Sequence, residues 1–158
     1  KADIPVRVFT VGRLDFLSTG LIFLTNDGEF ADAVMHPSAG VEKEYIVETK
    51  DPIRRDMLEE YTRGIRVDDV EYRLKSFSYK NARKVHLVLE EGKNREIREV
   101  FLARRIKIKR LHRIRVGPVR LPDLPPGSYR YLTEDEVSWF LSRSPKQQKQ
   151  RRRRGHSH

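Results

Sequence analysis

The chain has 158 residues, of which 37% are hydrophobic and 35% are charged, and its formal net charge is +10. This length supports one folded domain with a hydrophobic core. The sequence contains no cysteine, which excludes disulfide bonds, thiolate zinc sites and a cysteine nucleophile. It also contains no apolar run long enough to cross a membrane. A net charge of this sign favours a polyanionic partner, most commonly a nucleic acid.

Six segments alternate between apolar and polar residues and are rich in β-branched and aromatic residues, which predicts strands. These segments are 6–10, 21–25, 45–49, 71–79, 84–89 and 106–116. Helices are predicted after the turn at 26–28, from 51–52 onward, over 94–105, and after Thr133, where a capping box begins. The elements are mixed without a strict strand–helix–strand repeat. This order predicts an α+β fold with a mixed, largely antiparallel sheet flanked by helices.

The predicted elements lie within residues 1–143, which we expect to form one domain. Residues 144–158 have few apolar residues and no periodicity, which predicts a disordered tail. The tail contains six Lys or Arg residues and no Asp or Glu, and removing those six charges from +10 leaves +4 for the folded part. The tail is therefore a candidate for contact with a polyanion, although its charge could equally serve solubility alone.

The segment 12–21 joins two predicted strands and is bounded by glycines. It carries Asp15, with Arg13 two residues before it and the hydroxyl of Ser18 three residues after it. A carboxylate on a loop at the mouth of a sheet is a common element of functional sites. Aspartate is also a common turn former and helix cap, and this segment taken alone favours that structural interpretation.

Three further segments combine basic and aromatic residues. Tyr45 begins a predicted strand and could stack on a base, or it could be an ordinary half-buried tyrosine. Arg95 and Arg98 share the face of a predicted helix start that suits an anion, although Arg95 could instead pair with Glu99. The segment 107–115 has five Lys or Arg among nine residues. It indicates either a ribbon that follows phosphates or an edge strand protected by charge.

In a regular strand over 106–116, successive side chains point to opposite faces. One face then carries Ile106, Ile108, Arg110, His112, Ile114 and Val116. Leu111 falls on the other face unless a bulge shifts the register. The basic residues of this strand are therefore expected on both of its faces.

The wording and order of these segments resemble the RsuA/RluB family of ribosomal-RNA pseudouridine synthases. The matching stretches are GRLDFLSTGL (12–21), LTNDGEFA (24–31), MHP (35–37), VEKEY (41–45), GKNREIR (92–98), RLHR (110–113), VGP (116–118) and LPPG (124–127). The resemblance covers nearly all of the predicted domain. It implies the pseudouridine synthase fold with a central active-site cleft. It also implies an enzyme that isomerises uridine in RNA without a cofactor or a metal.

The resemblance implies a role for each matching position. Asp15 is expected to be the catalytic carboxylate, Tyr45 to stack on the uracil base and Arg98 to pair with Asp15. Leu111 is expected to form an apolar wall of the site. We expect contacts with RNA from Arg13, Lys43, Lys93, Arg95, Arg110 and Arg113.

The sequence departs from the family at three places. The family usually has Gln where Glu96 stands, often Asp or Asn where Leu17 stands, and often Arg-Met at 99–100. It also usually carries a small N-terminal RNA-binding domain of the kind named after ribosomal protein S4. The sequence starts at Lys1 and lacks that domain, so we expect that such a domain was removed from it.

We therefore expect a cytoplasmic, monomeric enzyme that acts on ribosomal RNA, with large-subunit 23S RNA favoured and no membrane partner. The main alternative is a non-catalytic RNA-binding or ribosome-assembly protein on the same fold. A further alternative is a hydrolytic enzyme, which requires a metal or a second acid near Asp15, such as Asp27 or Glu91. Substitution of Asp15 separates these functions, because only the enzymes depend on its carboxylate for turnover.

Overall fold

The computed structural model describes residue 4 and the ranges 6–93 and 95–155. Its strands are β1 (Phe9–Val11), β2 (Ser18–Gly20), β3 (Phe23–Thr25), β4 (Lys43–Thr49), β5 (Ile65–Val67), β6 (Val70–Tyr72), β7 (Ser76–Asn81), β8 (Lys84–Leu89), β9 (Ile108–Val116) and β10 (Val119–Arg120). Its helices are α1 (Gly28–Met35), α2 (Arg55–Arg63), α3 (Glu96–Ala103), α4 (Glu134–Leu141) and α5 (Pro145–Gly155), and a 3-10 turn spans Pro37–Ala39. None of the described helices has the length and apolar character of a membrane span.

The central sheet has the strand order β10-β9-β4-β8-β7, and every neighbouring pair in this order is antiparallel. The short strand β2 pairs with β9 in parallel, with Ser18 opposite Leu111 and Gly20 opposite Arg113. Two antiparallel pairs, β1 with β3 and β5 with β6, lie outside this sheet. The prediction of an α+β fold with a mixed, largely antiparallel sheet is confirmed.

Two hydrophobic clusters join the helices to the strands. The first packs α2 and α3 against the central sheet, and the second packs α1 and α4 against β3 and the end of β9. In the second cluster the ring of Phe140 meets both Phe23 and Phe30 edge-on, with centroids 5.5 Å apart. β9 contributes Leu111 to the first cluster and Val116 to the second, so it connects the two halves of the core.

The predicted helices α1 and α4 lie where the sequence places them. At the start of α4 the Thr133 hydroxyl accepts from the Glu136 amide at 3.2 Å, and the Glu136 carboxylate accepts from the Thr133 amide at 2.8 Å. This reciprocal pair is the predicted capping box, which satisfies two amides that the helix itself leaves unbonded. The sequence signal was reliable here because it depends only on local contacts.

The helix predicted from 51–52 begins later, at Arg55. The Asp51 carboxylate accepts from the Lys107 amide at 2.8 Å, and the Ile53 amide donates to the carbonyl of Ala82 at 2.6 Å. These contacts with distant segments keep residues 51–53 out of the helix. The local cap signal was therefore overridden by tertiary hydrogen bonds.

The prediction of a disordered tail from residue 144 differs from the structure, in which α5 spans Pro145–Gly155. Its Gln, Lys and Arg residues are good helix formers, and proline is favoured at the first position of a helix. The disorder prediction was based on low hydrophobicity, which does not lower helix propensity.

The prediction that Arg110 and His112 share a face with Ile108 and Val116 is wrong. The pairing of β4 with β9 shifts register between Glu48 and Thr49 and again between Glu44 and Tyr45, so one residue of β9 is left unpaired at each place. Such bulges reverse the direction in which the following side chains point. Leu111 consequently lies opposite Val47, which is fully buried, and Arg113 lies opposite Tyr45.

Gly20 is expected to be essential for the junction of β2 and β9. Its φ is +117°, and a Cβ added there would lie 2.2 Å from the carbonyl oxygen of Arg113. We expect Gly20→Ala to lower the free energy of unfolding by about 3 kcal/mol, because the backbone must move and the conformation is strained. Gly28→Ala is the control, since a Cβ at that position meets nothing within 4 Å. Urea denaturation of both variants measures the difference, and equal midpoints would contradict this account.

Candidate active site

Asp15 lies in the turn between β1 and β2. The Ser18 amide donates to the Asp15 carbonyl at 2.8 Å and closes this turn. The residues after the turn are held by β9 through the parallel pairing of β2. The loop that carries Asp15 is therefore fixed at its C-terminal end by a strand from the far end of the domain.

The Asp15 carboxylate pairs with an arginine from the first turn of α3. Arg98 Nε donates to Asp15 Oδ2 at 2.7 Å, and Arg98 Nη2 lies 3.4 Å from the Ser18 hydroxyl. The Asp15 side chain is 19% exposed, so the pair is only partly screened by water, and such charge-assisted bonds are among the stronger ones in proteins. The arrangement holds the Asp15 carboxylate in place at the edge of a cavity.

Arg95 places a second guanidinium near the same carboxylate. Its Nε lies 3.5 Å from Asp15 Oδ2. The residue precedes α3 in a left-handed conformation with φ 51°, which costs a non-glycine residue about 1 kcal/mol. This conformation starts α3 immediately after the strand-to-helix loop. Two arginines from the start of one helix therefore face Asp15.

A cavity of about 620 Å³ opens beside Asp15. Nine of the ten predicted site residues line it: Arg13, Asp15, Lys43, Tyr45, Lys93, Arg95, Arg98, Leu111 and Arg113. This volume is typical of a small-ligand site. Tyr45 and Leu111 supply aromatic and aliphatic surface, and most of the remaining predicted residues supply positive charge. The cavity can hold one planar apolar group whose substituents carry negative charge.

Two of the residues predicted to contact RNA, Arg110 and Arg113, differ in their surroundings. Arg110 is exposed and does not line the cavity. Arg113 is buried, and its Nε donates to the carbonyl of Leu21 at 2.9 Å. Arg113 therefore ties the end of the Asp15 loop to β9 from inside the protein, which is a positioning contact. The bulge in β9 that turns Arg113 inward was not visible in the sequence.

The positive charge of the cavity is partly buried. Lys43 forms no ion pair with any described residue, and burial together with the charge of Arg113 lowers its pKa, against an opposing effect of Glu96. Arg13, Lys93 and Arg95 are exposed. The cavity thus presents exposed cations outside and a less solvated ammonium group within.

Glu96 is a residue of the cavity wall that the sequence did not single out as functional. It is 6% exposed, and its Oε1 has no hydrogen-bond partner among the described residues. Burial raises the pKa of the Glu96 carboxyl to about 10, with a hydrogen bond to Glu91 and the charge of Glu91 adding to the rise and Lys93 and Lys43 opposing it. Glu96 is therefore a neutral carboxylic acid at neutral pH. The family resemblance, which implies Gln at this position, was the available signal, because glutamine and a protonated glutamate are both neutral and similar in shape.

The neighbouring Glu91 carries the charge of this pair. Burial alone would raise its pKa, but the hydrogen bond with Glu96, the Arg73 amide at 2.7 Å and the ammonium of Lys93 at 3.2 Å outweigh burial and lower the pKa. Within the described ranges, no cluster of three or more His, Asp or Glu side chains is arranged to hold a metal ion. Of the three acidic residues in the cavity wall, Glu96 is neutral, Glu91 pairs with Lys93, and Asp15 pairs with Arg98.

Comparison with known proteins shows which family the chain resembles. A family profile described as RNA pseudouridylate synthase matches residues 2–103. The chain is 44% identical over 140 residues to the uncharacterized RNA pseudouridine synthase of Borreliella burgdorferi, covering 89% of this chain and 56% of that protein. It is 35% identical over 141 residues to the ribosomal large subunit pseudouridine synthase B of Bacillus subtilis, covering 85% and 58%.

A solved crystal structure of a pseudouridylate synthase has a similar fold. Its TM-score is 0.78 at 30% sequence identity, covering 84% of this chain and 59% of the other. The chain therefore spans somewhat more than half the length of the relatives that it matches. The similarity includes the segments that build the cavity, from the Asp15 loop to α3.

Proposed function

Because this chain belongs to the RNA pseudouridylate synthase family, we propose that it converts a uridine of ribosomal RNA to pseudouridine, with Asp15 as its catalytic carboxylate. The observation that carries this proposal is the contact between Asp15 and Arg98, at 2.7 Å, at the edge of a cationic cavity. The guanidinium donates a charge-assisted hydrogen bond to the carboxylate and fixes its orientation. A carboxylate that is oriented by a cation and partly shielded from water is the group that this reaction needs.

The reaction rearranges one nucleoside without a net redox change or hydrolysis. Asp15 attacks the nucleoside and forms a covalent adduct, and the bond from ribose C1′ to uracil N1 breaks. The uracil turns so that C5 bonds to C1′, and the bond between Asp15 and the nucleoside breaks, which returns the free carboxylate. The proton on C5 is lost and N1 gains one, so atoms and electrons balance. In our proposal Tyr45 and Leu111 hold the detached uracil between an aromatic and an aliphatic surface. The chain then needs only to bind, orient and exclude water.

The target uridine must leave its base stack to reach Asp15, at a cost of a few kcal/mol. Exposed cations around the cavity offset this cost through phosphate contacts, and Arg13, Lys93 and Arg95 are the residues placed for them. Lys43 is more buried than these residues, and in our proposal it donates to a carbonyl oxygen of the uracil. Relatives are named large-subunit enzymes, which favours large-subunit RNA as the substrate and thereby the cytoplasm as the location.

Removal of Arg98 tests the ion pair. We expect Arg98→Met to lower the turnover number by about 10²-fold to 10³-fold, because the carboxylate loses the group that orients and stabilises it. Arg98→Lys keeps the charge but not the two-point contact with Asp15 and Ser18, so it should retain part of the activity. Single-turnover kinetics on ribosomal RNA separate this effect from weaker binding. Equal turnover for Met and Lys variants would show that the charge of Arg98 is unimportant.

The substrate is tested by mapping pseudouridine in ribosomal RNA. Carbodiimide adducts of pseudouridine stop reverse transcriptase, so each modified position gives a band. Cells that lack the gene should lose one or a few of these stops in the large-subunit RNA, and the wild-type gene should restore them. An unchanged pattern in both ribosomal RNAs would overturn the proposed substrate.

The basic tail gives a separate prediction about affinity. Deleting residues 145–158 removes six basic side chains, and we expect the slope of log K against log salt for ribosomal RNA to fall in magnitude by about 3. Replacing only residues 151–154 with Gln should give an intermediate slope. Filter-binding assays at a series of salt concentrations, from low to moderate, measure the slope for each protein. An identical slope for all three proteins would show that the tail does not contact the RNA.

A further inference from the structure

Two large apolar side chains are exposed at the two residues that follow Asp15 in the sequence. Phe16 is 95% exposed and Leu17 is 64% exposed, although burial of such side chains is normally favourable. They occupy the two central positions of the turn that the Ser18 amide closes on Asp15. Those positions usually hold glycine, proline, asparagine, aspartate or serine. The turn therefore does not explain this apolar pair, which points to contact with another molecule.

The fold holds this apolar turn in a fixed position. The Arg98 guanidinium contacts Asp15 on one side of the turn and Ser18 on the other, at 2.7 and 3.4 Å. Ser18 then begins β2, which pairs with β9. Phe16 and Leu17 are thus kept at a set distance from the carboxylate. A surface that is ordered in advance loses little conformational entropy when it binds.

The surrounding charge indicates the kind of partner. Phe16 lines the mouth of the cavity together with Arg13 and Arg95. Exposed cations beside an apolar tip suit a partner with an anionic backbone and an apolar, stacked interior. RNA has both properties, since its phosphates attract Arg and Lys and its bases stack on aromatic side chains. An apolar groove of a protein has no comparable density of negative charge.

We propose that Phe16 and Leu17 enter the RNA and fill the space that the target uridine leaves in its stack when it moves into the cavity. This inference rests on the proposed function. It adds which side chains take the place of the uridine in the RNA stack. The cavity of about 620 Å³ accommodates one nucleotide and not a base-paired helix. Extrusion of a base leaves a gap in the stack, and apolar side chains placed between base steps stabilise such a distorted helix.

The test uses two short RNA duplexes of the same sequence, one fully paired and one with a single abasic nucleotide in its centre. The gap already exists in the second duplex, so the wild-type chain should bind it about tenfold more tightly, as expected for one stacking contact. The double variant Phe16→Ser with Leu17→Ser should lose this preference. Leu102→Ser is the matched control, because Leu102 is 71% exposed and does not line the cavity. It should keep the preference.

A fluorescent 2-aminopurine placed next to the abasic position reports the insertion directly. Its emission should change when the wild-type chain or Leu102→Ser binds and stay constant with the double variant. Equal preference and equal emission changes in the double variant would overturn the proposal, as would a wild-type chain that binds both duplexes equally. Neither measurement involves turnover. A result against insertion of Phe16 and Leu17 is therefore distinguishable from a result against the proposed activity. The mapping of pseudouridine tests that activity separately.

Discussion

Replacing Asp15 with alanine is expected to lower the turnover number for pseudouridine formation by about 10⁴-fold or more, because the reaction loses the carboxylate that we propose to be catalytic. Binding of ribosomal RNA should change by no more than about threefold, since its main electrostatic contribution comes from phosphate contacts. Those contacts are made in our proposal by Arg13, Lys93 and Arg95, which the substitution leaves in place. The expected result is an RNA-binding protein without activity.

Tritium at C5 of uridine gives a direct measurement, since every turnover releases it to water. Asp15→Asn is the second variant, because the amide oxygen can still accept from Arg98 and the loop keeps its shape. Loss of tritium release in both variants, with RNA binding retained, is the expected outcome. Wild-type turnover in Asp15→Asn would show that the carboxylate does not react. It would leave a binding protein as the better interpretation.

The second large effect concerns stability and not turnover. Glu96→Gln is expected to raise the free energy of unfolding by about 2 to 3 kcal/mol at neutral pH. The pKa of the Glu96 carboxyl is about 10 in the folded chain, against an ordinary value of 4.5. Glutamine has nearly the same shape as glutamate and is never ionised. At position 96 it therefore fills the same place in the cavity wall without making the free energy of unfolding depend on pH.

The direction of the pH dependence follows from the raised pKa. Below pH 4.5 the carboxyl is protonated in both the folded and the unfolded chain, so its contribution to stability is complete. As the pH rises from 4.5 towards 10, the unfolded chain releases this proton and the folded chain keeps it, so the folded state loses stability relative to the unfolded state. Above pH 10 both states are ionised and the loss is constant.

Urea denaturation at pH 5 and at pH 8 measures this difference. The gap between Glu96→Gln and the wild-type chain should be small at pH 5 and larger at pH 8. Glu99→Gln, three residues along the same helix at a partly exposed position, is the control and should show no such widening. A constant gap between Glu96→Gln and wild type would mean that Glu96 is ionised in the folded chain.

The family and the fold class could be predicted from the sequence, and both are confirmed. The predicted contact of Arg98 with Asp15 is present at 2.7 Å, because the order of motifs carries information about distant contacts that periodicity does not contain. Helix α4 and strand β8 were found from local signals, namely a capping box and a period of two. These signals depend on neighbours in sequence, so tertiary contacts did not disturb them.

Other features depend on contacts that no local pattern records. Leu111 and Arg113 point inward because β9 has two bulges. These bulges arise where the pairing of β4 with β9 shifts register. The strand β2 has only three residues and exists through its pairing with β9. The burial of Glu96 follows from the way in which α3 packs beside the cavity. In each case the sequence gives the residue type but not its surroundings.

The parallel pairing of β2 with β9 has a consequence for the order in which the chain acquires its site during synthesis. Arg98 and Asp15 are 83 residues apart, and Gly20 lies opposite Arg113. Closing loops of this length requires ordering much of the chain between them, which slows folding. In a nascent chain that has emerged only as far as β8, the Asp15 loop has neither the contact with Arg98 nor the pairing of β2 with β9. The Asp15 loop therefore gains its pairing with β9 only after β9 has left the ribosome.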